Sequence, residues 1–235
     1  MKYDPRVTVL WATPDPATAV ANAARLTQMN PYKGAATGTP TEGLIKYLYH
    51  ADHRSVFQHA AMSVRMYNIS RSCADQVRTA HHLSVTSTSQ HYKDHSDFPF
   101  FCDDEDVAVQ CLRSREAYAE MIKDGKPKEE ARQCLPMAMG ASIIVTGNAQ
   151  AWANFIHTRM CRRNVKEMTL LAQRMDSILS DWFPELFMHV GPQCFEDRCK
   201  QGRMSCGNPY CVNSHSKNVY MQRMSNKTQW PGSHD

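Results

Sequence analysis

Seven histidines, His50, His53, His59, His81, His82, His91 and His95, fall within 46 residues of one another. Histidine titrates near neutral pH and serves as acid, base or ligand, so this density marks a stretch able to line a polar pocket. Any one of them alone is more often a surface or hydrogen-bonded core residue. No pair has the His-Glu-x-x-His spacing of a zinc protease. The same stretch carries Ser84 to Ser89, reading Ser-Val-Thr-Ser-Thr-Ser. It is too polar for core and too rich in hydroxyls for a helix interior, so an extended loop lining something polar is expected.

Four of the nine cysteines, Cys194, Cys199, Cys206 and Cys211, are separated by four, six and four residues and flanked by His189 and His215. Four thiolates hold zinc tetrahedrally, and the outer spacings are admissible, although the centre is shorter than in common ribbons or fingers. Zinc, reduced thiols in a tail packed on the domain, and disulfides within the tail all stay open. There is no Gly-x-Gly-x-x-Gly after a strand, no phosphate-binding Gly-Lys-Ser/Thr loop and no Gly-x-Ser-x-Gly elbow.

The 235 residues, 42% hydrophobic and 21% charged, supply core for one large domain or two small ones. A net charge of +4 with scattered Lys and Arg argues against a nucleic-acid polymer as partner. No apolar run reaches the roughly 20 residues of a membrane span, and the N-terminus lacks the order of a secretory signal. An odd cysteine count in a chain this long also argues against a disulfide framework, so a cytoplasmic protein with no membrane partner is expected.

Val7 to Trp11 reads as a strand and Ala17 to Met29 as a helix. Thr39, Pro40 and Glu42 form the start signal of a helix through His50. Met62, Val64 and Met66 alternate with polar neighbours, the period of a half-buried strand, and Ser70 caps a following helix. Helices are expected over Asp104 to Lys123, Lys128 to Met139, Ala149 to Met160 and Asn164 to Trp182. Ser142 to Thr146 is a strand or the apolar start of the next helix. Residues 1–190 are expected as one catalytic-type domain, with 191–215 a Cys-rich segment and 216–235 a C-terminal tail.

An ordered set of phrases resembles the flavin-dependent thymidylate synthases over most of the chain. His53-Arg54-Ser55-Val56-Phe57-Gln58-His59-Ala60 is similar to the family's His-x-Ser/Thr-x-x-Glu-His-Ala, with Gln58 where Glu is usual. Ile69-Ser70-Arg71 through Gln76 resembles its Ile-Ser-Arg-x-x-x-x-Gln helix, and Ser84-Val85 with Ser89-Gln90-His91-Tyr92 its Ser-Val-Asn-x-x-Ser-x-Arg-Tyr loop. Ala131-Arg132 to Leu135-Pro136, Thr146-Gly147-Asn148, Arg159-Met160-Cys161-Arg162-Arg163 and Glu167-Met168 resemble later phrases in the same order. The tail from Gly191-Pro192-Gln193-Cys194 to Cys206-Gly207 resembles tails carried by some members.

The resemblance implies an α+β fold with a strand-containing core flanked by helices, in a homotetramer with pockets between subunits. It implies FAD as cofactor, methylenetetrahydrofolate and NADPH as co-substrates, and transfer of a one-carbon unit to C5 of a pyrimidine deoxynucleotide. Carried over by position, His53, His81 and Thr169 fall at catalytic places. His53, Ser55, Gln58, His81, His82, His157, Arg159 and Arg163 fall at flavin-binding places. Gln76, Arg78, Ser87, Ser89, Gln90, His91 and Gln150 fall at substrate-binding places.

The departures are equally specific. The family's Arg-His-Arg signature falls on Thr79, Ala80 and His81, and three further expected arginines are His91, Gln150 and Thr169. None of these side chains replaces a bidentate guanidinium. Each lost charge-assisted contact to a phosphate is worth roughly 1.5–3 kcal/mol. Three readings follow: thymidylate-type methylation, hydroxymethylation of a pyrimidine nucleotide on the same scaffold, or a non-catalytic partner that kept the fold.

Overall fold

The computed structural model describes residues 1–27, 41–195, 199 and 201–207. The alternation that marked Met62 to Met66 extends into a ten-residue strand, one of four in an antiparallel sheet and paired on each side with a neighbour. The strands are β1 (Arg6–Ala12), β2 (Ala61–Ser70), β3 (Ser84–Ser87) and β4 (Gly140–Asn148), in spatial order β1-β2-β4-β3. Val7 opposite Met66, Val9 opposite Val64, and Val64 and Val85 both opposite Val145 bring the apolar positions onto one face. Thr8, Arg65, Ile144 and Thr86 occupy the other face by the same period of two.

Helices cover the apolar face. In chain order they are α1 (Pro16–Leu26), α2 (Thr41–His50), α3 (Arg71–Arg78), α4 (Glu105–Lys123), α5 (Lys128–Ala131), α6 (Ala149–Arg159), α7 (Lys166–Trp182) and α8 (Pro184–Phe187). Trp152, Phe155 and Ile156 of α6 and Leu171, Met175 and Leu179 of α7 share one buried cluster with Met62, Val64, Met66, Ile143 and Val145. The starts follow side-chain chemistry. Asp15 caps α1 through Thr18 N at 3.0 Å, Asp104 caps α4 through Val107 N at 2.9 Å, and Asn148 caps α6 through Ala151 N at 2.9 Å.

The mixed α+β architecture, with a sheet faced by helices, agrees with expectation. Two local expectations are corrected. The helix expected over Lys128 to Met139 stops at Ala131, passes through a 3-10 turn at Arg132–Cys134 and becomes extended at Leu135, because Pro136 disfavours helical geometry in the residue before it. Ser84 to Ser89 is a loop only in its last two residues. Its first four form edge strand β3, whose ladder to β4 satisfies a backbone that its hydroxyls could not. The ambiguous Ser142 to Thr146 segment is the middle of β4. The start signal at Thr39 and Pro40 lies outside the described residues. Among the described residues no helix is long and apolar enough to cross a membrane.

Candidate active site

Strand β2 ends in Ser70, which caps α3 by accepting Cys73 N at 3.0 Å. The same serine is gripped by Glu167 of α7, whose carboxylate accepts Ser70 N at 2.6 Å and the Ser70 hydroxyl. Glu167 is 4% exposed, and burial raises its pKa against the opposing pull of the two hydrogen bonds. This knot fixes the direction of α3 and hence the residues at its far end.

At that end, Gln76 and Thr79 meet α6. Arg159 Nη2 donates to Gln76 O and to Thr79 Oγ1, both at 2.9 Å. Its Nε is buried and has no hydrogen-bond partner among the described residues. The chain then turns through His81 and His82, the latter at φ 63°, a left-handed conformation unusual for a non-glycine residue outside turns. Leu83 follows and presses on Gly147, where a Cβ would lie 2.3 Å from Leu83 Cδ2. A glycine in β4 therefore lets the histidine turn sit close to the sheet.

Between this turn and α6 opens a cleft of about 760 Å³ whose lining includes Arg54, His81, His82, His157 and Arg159, with Tyr49 and Phe155 as aromatic walls. Among the described residues of the lining there is no aspartate or glutamate. Arg54 stacks over the Tyr49 ring at 4.6 Å, and His157 Nδ1 donates to Gly191 O, which sets its tautomer. The lining is cationic and aromatic, which suits a planar anionic ligand.

Of the expected flavin residues, His81, His82, His157 and Arg159 converge in this cleft. His53, Ser55 and Gln58 lie exposed along the neighbouring 3-10 turn and its cap, outside the lining, and Arg163 bonds Gln201 Oε1 at 2.9 Å instead. Of the expected substrate residues, Arg78 Nη2 donates to Ser87 Oγ at 3.0 Å, coupling α3 to β3. Ser89 Oγ accepts His91 N at 3.1 Å, Gln90 reaches Met139 Sδ at 3.8 Å, and His91 Nδ1 lies 3.9 Å from Glu129. Gln150 bonds Asn154 Oδ1 at 3.0 Å and lines a small adjoining cavity. Thr169 bonds Val165 O at 3.3 Å on the first turn of α7, away from the cleft.

Sequence reasoning missed Arg54, Tyr49 and Asn154 as cleft residues. Arg54 stood in the open between His53 and Ser55, but nothing in the spacing tied it to Tyr49. No group of three or more His, Cys, Asp or Glu among the described residues is arranged to hold a metal. Cys194, Cys199 and Cys206 belong to no such group, and Cys211 lies outside the described residues.

The sequence model described as thymidylate synthase complementing protein matches residues 8–185. A flavin-dependent thymidylate synthase from Geobacter sulfurreducens is 30% identical over 217 residues, covering 86% of this chain and 94% of that one. The chain belongs to the flavin-dependent thymidylate synthase family. A second family member, from Clostridium tetani, is 28% identical over 232 residues, covering 86% and 93% of the two chains. The fold also matches the crystal structure of a UMP/dUMP methylase, PolB, from Streptomyces cacaoi bound with 5-Br dUMP. The TM-score is 0.69 at 19% identity, over 79% of this chain and 94% of that one. Thr79, Ala80 and His81 line the α3–α6 cleft together with His82 and Arg159.

Proposed function

We propose that the chain transfers a one-carbon unit from methylenetetrahydrofolate to C5 of a pyrimidine nucleotide, with FAD held in the α3–α6 cleft and NADPH as the source of electrons. The observation that carries this reading is the cleft itself: Arg54, Arg159 and three histidines face an opening with aromatic walls and, among the described residues, no carboxylate in its lining. Reduced flavin, when bound, supplies the hydride that completes the transferred methyl group.

The protein's own groups bind and orient. Arg159 ties Gln76 and Thr79 to α6, so the two cleft walls are fixed before a ligand arrives, and its buried Nε is left as a donor for that ligand. His81 and His82 offer donors at the cleft edge. Arg78 and Ser87 form a cation–hydroxyl pair suited to a nucleotide phosphate, with Ser89, Gln90 and His91 on the segment beyond. None of Arg78, Ser87, Ser89, Gln90 and His91 is among the residues that line the α3–α6 cleft. Assembly as a homotetramer, in which one subunit's 87–91 segment completes another's cleft, brings them to it.

The test is flavin retention. The purified protein, reconstituted with FAD and freed of excess, should stay yellow. Arg159→Leu should lose roughly tenfold or more in flavin affinity while remaining folded, the loss expected for a charge-assisted contact. A folded parent protein that takes up no flavin would overturn the reading.

A further inference from the structure

Beyond β3 the chain is fixed twice. Thr88 donates through its amide and its hydroxyl to Ser142 O, both at 3.0 Å, which anchors the segment to β4. One residue later, the Ser89 carbonyl meets His95 Nε2 at 3.2 Å. His95 is 1% exposed. Its own amide donates to Tyr118 Oη of α4 at 3.3 Å, and its ring lies edge-on to Phe98 at 4.3 Å. A side chain so placed joins the hydroxyl-rich segment to the α4 face rather than to the main sheet.

A carbonyl only accepts, so Nε2 carries the imidazole proton and Nδ1 is a bare nitrogen. That Nδ1 is buried with no hydrogen-bond partner among the described residues. A second proton would have nowhere to donate, and burial accordingly holds the pKa below the ordinary histidine value. The charged groups around the ring are Lys93 and Asp94 beside it in the loop and Arg71 from α3. The two cations reinforce the shift, while Asp94 and the Ser89 carbonyl oppose it. Tyr118 faces it from α4. His95 is therefore a neutral clamp at neutral pH.

We propose that His95 is a positioning residue for nucleotide binding, its imidazole holding the Ser89 carbonyl and so fixing the 87–91 segment that carries Ser87, Ser89 and His91. This rests on the assignment of that segment to the nucleotide. The clamp acts on affinity rather than on the chemical step, because none of its atoms faces the α3–α6 cleft.

The experiment compares the parent with His95→Leu, which removes the donor, and His95→Gln, which returns an N–H near the position of Nε2. Titration with deoxyuridine monophosphate and with uridine monophosphate gives Kd, saturating assays give kcat, and hydrogen exchange follows the amides of residues 88–92. His95→Leu should raise Kd and speed that exchange by about tenfold each, the worth of one lost buried hydrogen bond, with kcat held within about twofold. His95→Gln should restore Kd to within about threefold of the parent. Parent affinity should be flat through neutrality and fall in acid, where the buried ring is forced to charge, and His95→Gln should lack that fall. A folded His95→Leu with unchanged Kd overturns the proposal, as does a His95→Gln no better than it. If the parent binds neither nucleotide, the functional reading falls, and unchanged exchange in His95→Leu then overturns the clamp as well.

Discussion

In the proposed reading nucleotide affinity turns on Arg78, since the resemblance implies arginines at the positions of Thr79 and His81. Arg78 is not a free cation. Asp75 lies 3.7 Å from Arg78 and 3.5 Å from Arg71, so one carboxylate draws on both guanidiniums one turn from Ser87. A phosphate arriving at Arg78 must compete with Asp75 and is repelled by it. Asp75→Asn should therefore tighten binding of deoxyuridine monophosphate by roughly two- to fivefold, the range for an exposed ion pair, as read by calorimetry. Unchanged or weaker binding would show that the phosphate sits elsewhere. The sequence exposed the residue types in this region, because hydroxyls and histidines announce a polar pocket. It did not reveal that Arg159 would close on Gln76 and Thr79, because residues 83 positions apart meet only through the packing of α3 on α6.

The elements depend on one buried contact among β2, α3 and α7. Glu167→Ala leaves the Ser70 amide and hydroxyl unsatisfied in the core and should destabilise the fold by about 2–4 kcal/mol in denaturant melts. Glu167→Gln keeps an acceptor and should cost about 1 kcal/mol or less near neutral pH. The pH dependence has a definite sign. Burial raises the native pKa of Glu167 above its ordinary 4.5, so the native state keeps a proton that the unfolded chain has released. This contribution is present below that value and is lost as pH rises through the native one, and Glu167→Gln should not show it. A parent whose stability rises across that window no less than the variant's would contradict the assignment. Glu167 was legible as part of a phrase, yet its partner was not, since a carboxylate 97 positions from Ser70 gives no local signal. Where periodicity was strong, as in β2 and α4, the elements emerged as read. Where Pro136 and the edge ladder of β3 intervened, tertiary pairing overrode local composition.

At the scale of the whole molecule, the 87–91 segment is not part of the lining of the cleft, and the tetramer that the family resemblance implies is proposed to bring the two together. Sizing should give about four times the monomer mass of 26.7 kDa, and a stable monomer with full activity would contradict it. The family and the cleft together make a stronger claim about chemistry. FAD-loaded protein with NADPH, isotopically labelled methylenetetrahydrofolate and either deoxyuridine or uridine monophosphate tests it most directly, with the nucleotide product identified by mass spectrometry. The account predicts a labelled methyl group at C5, formed slowly and with weak nucleotide affinity because so few guanidiniums remain. Nucleotide recovered without the label, from folded protein carrying flavin, would contradict it.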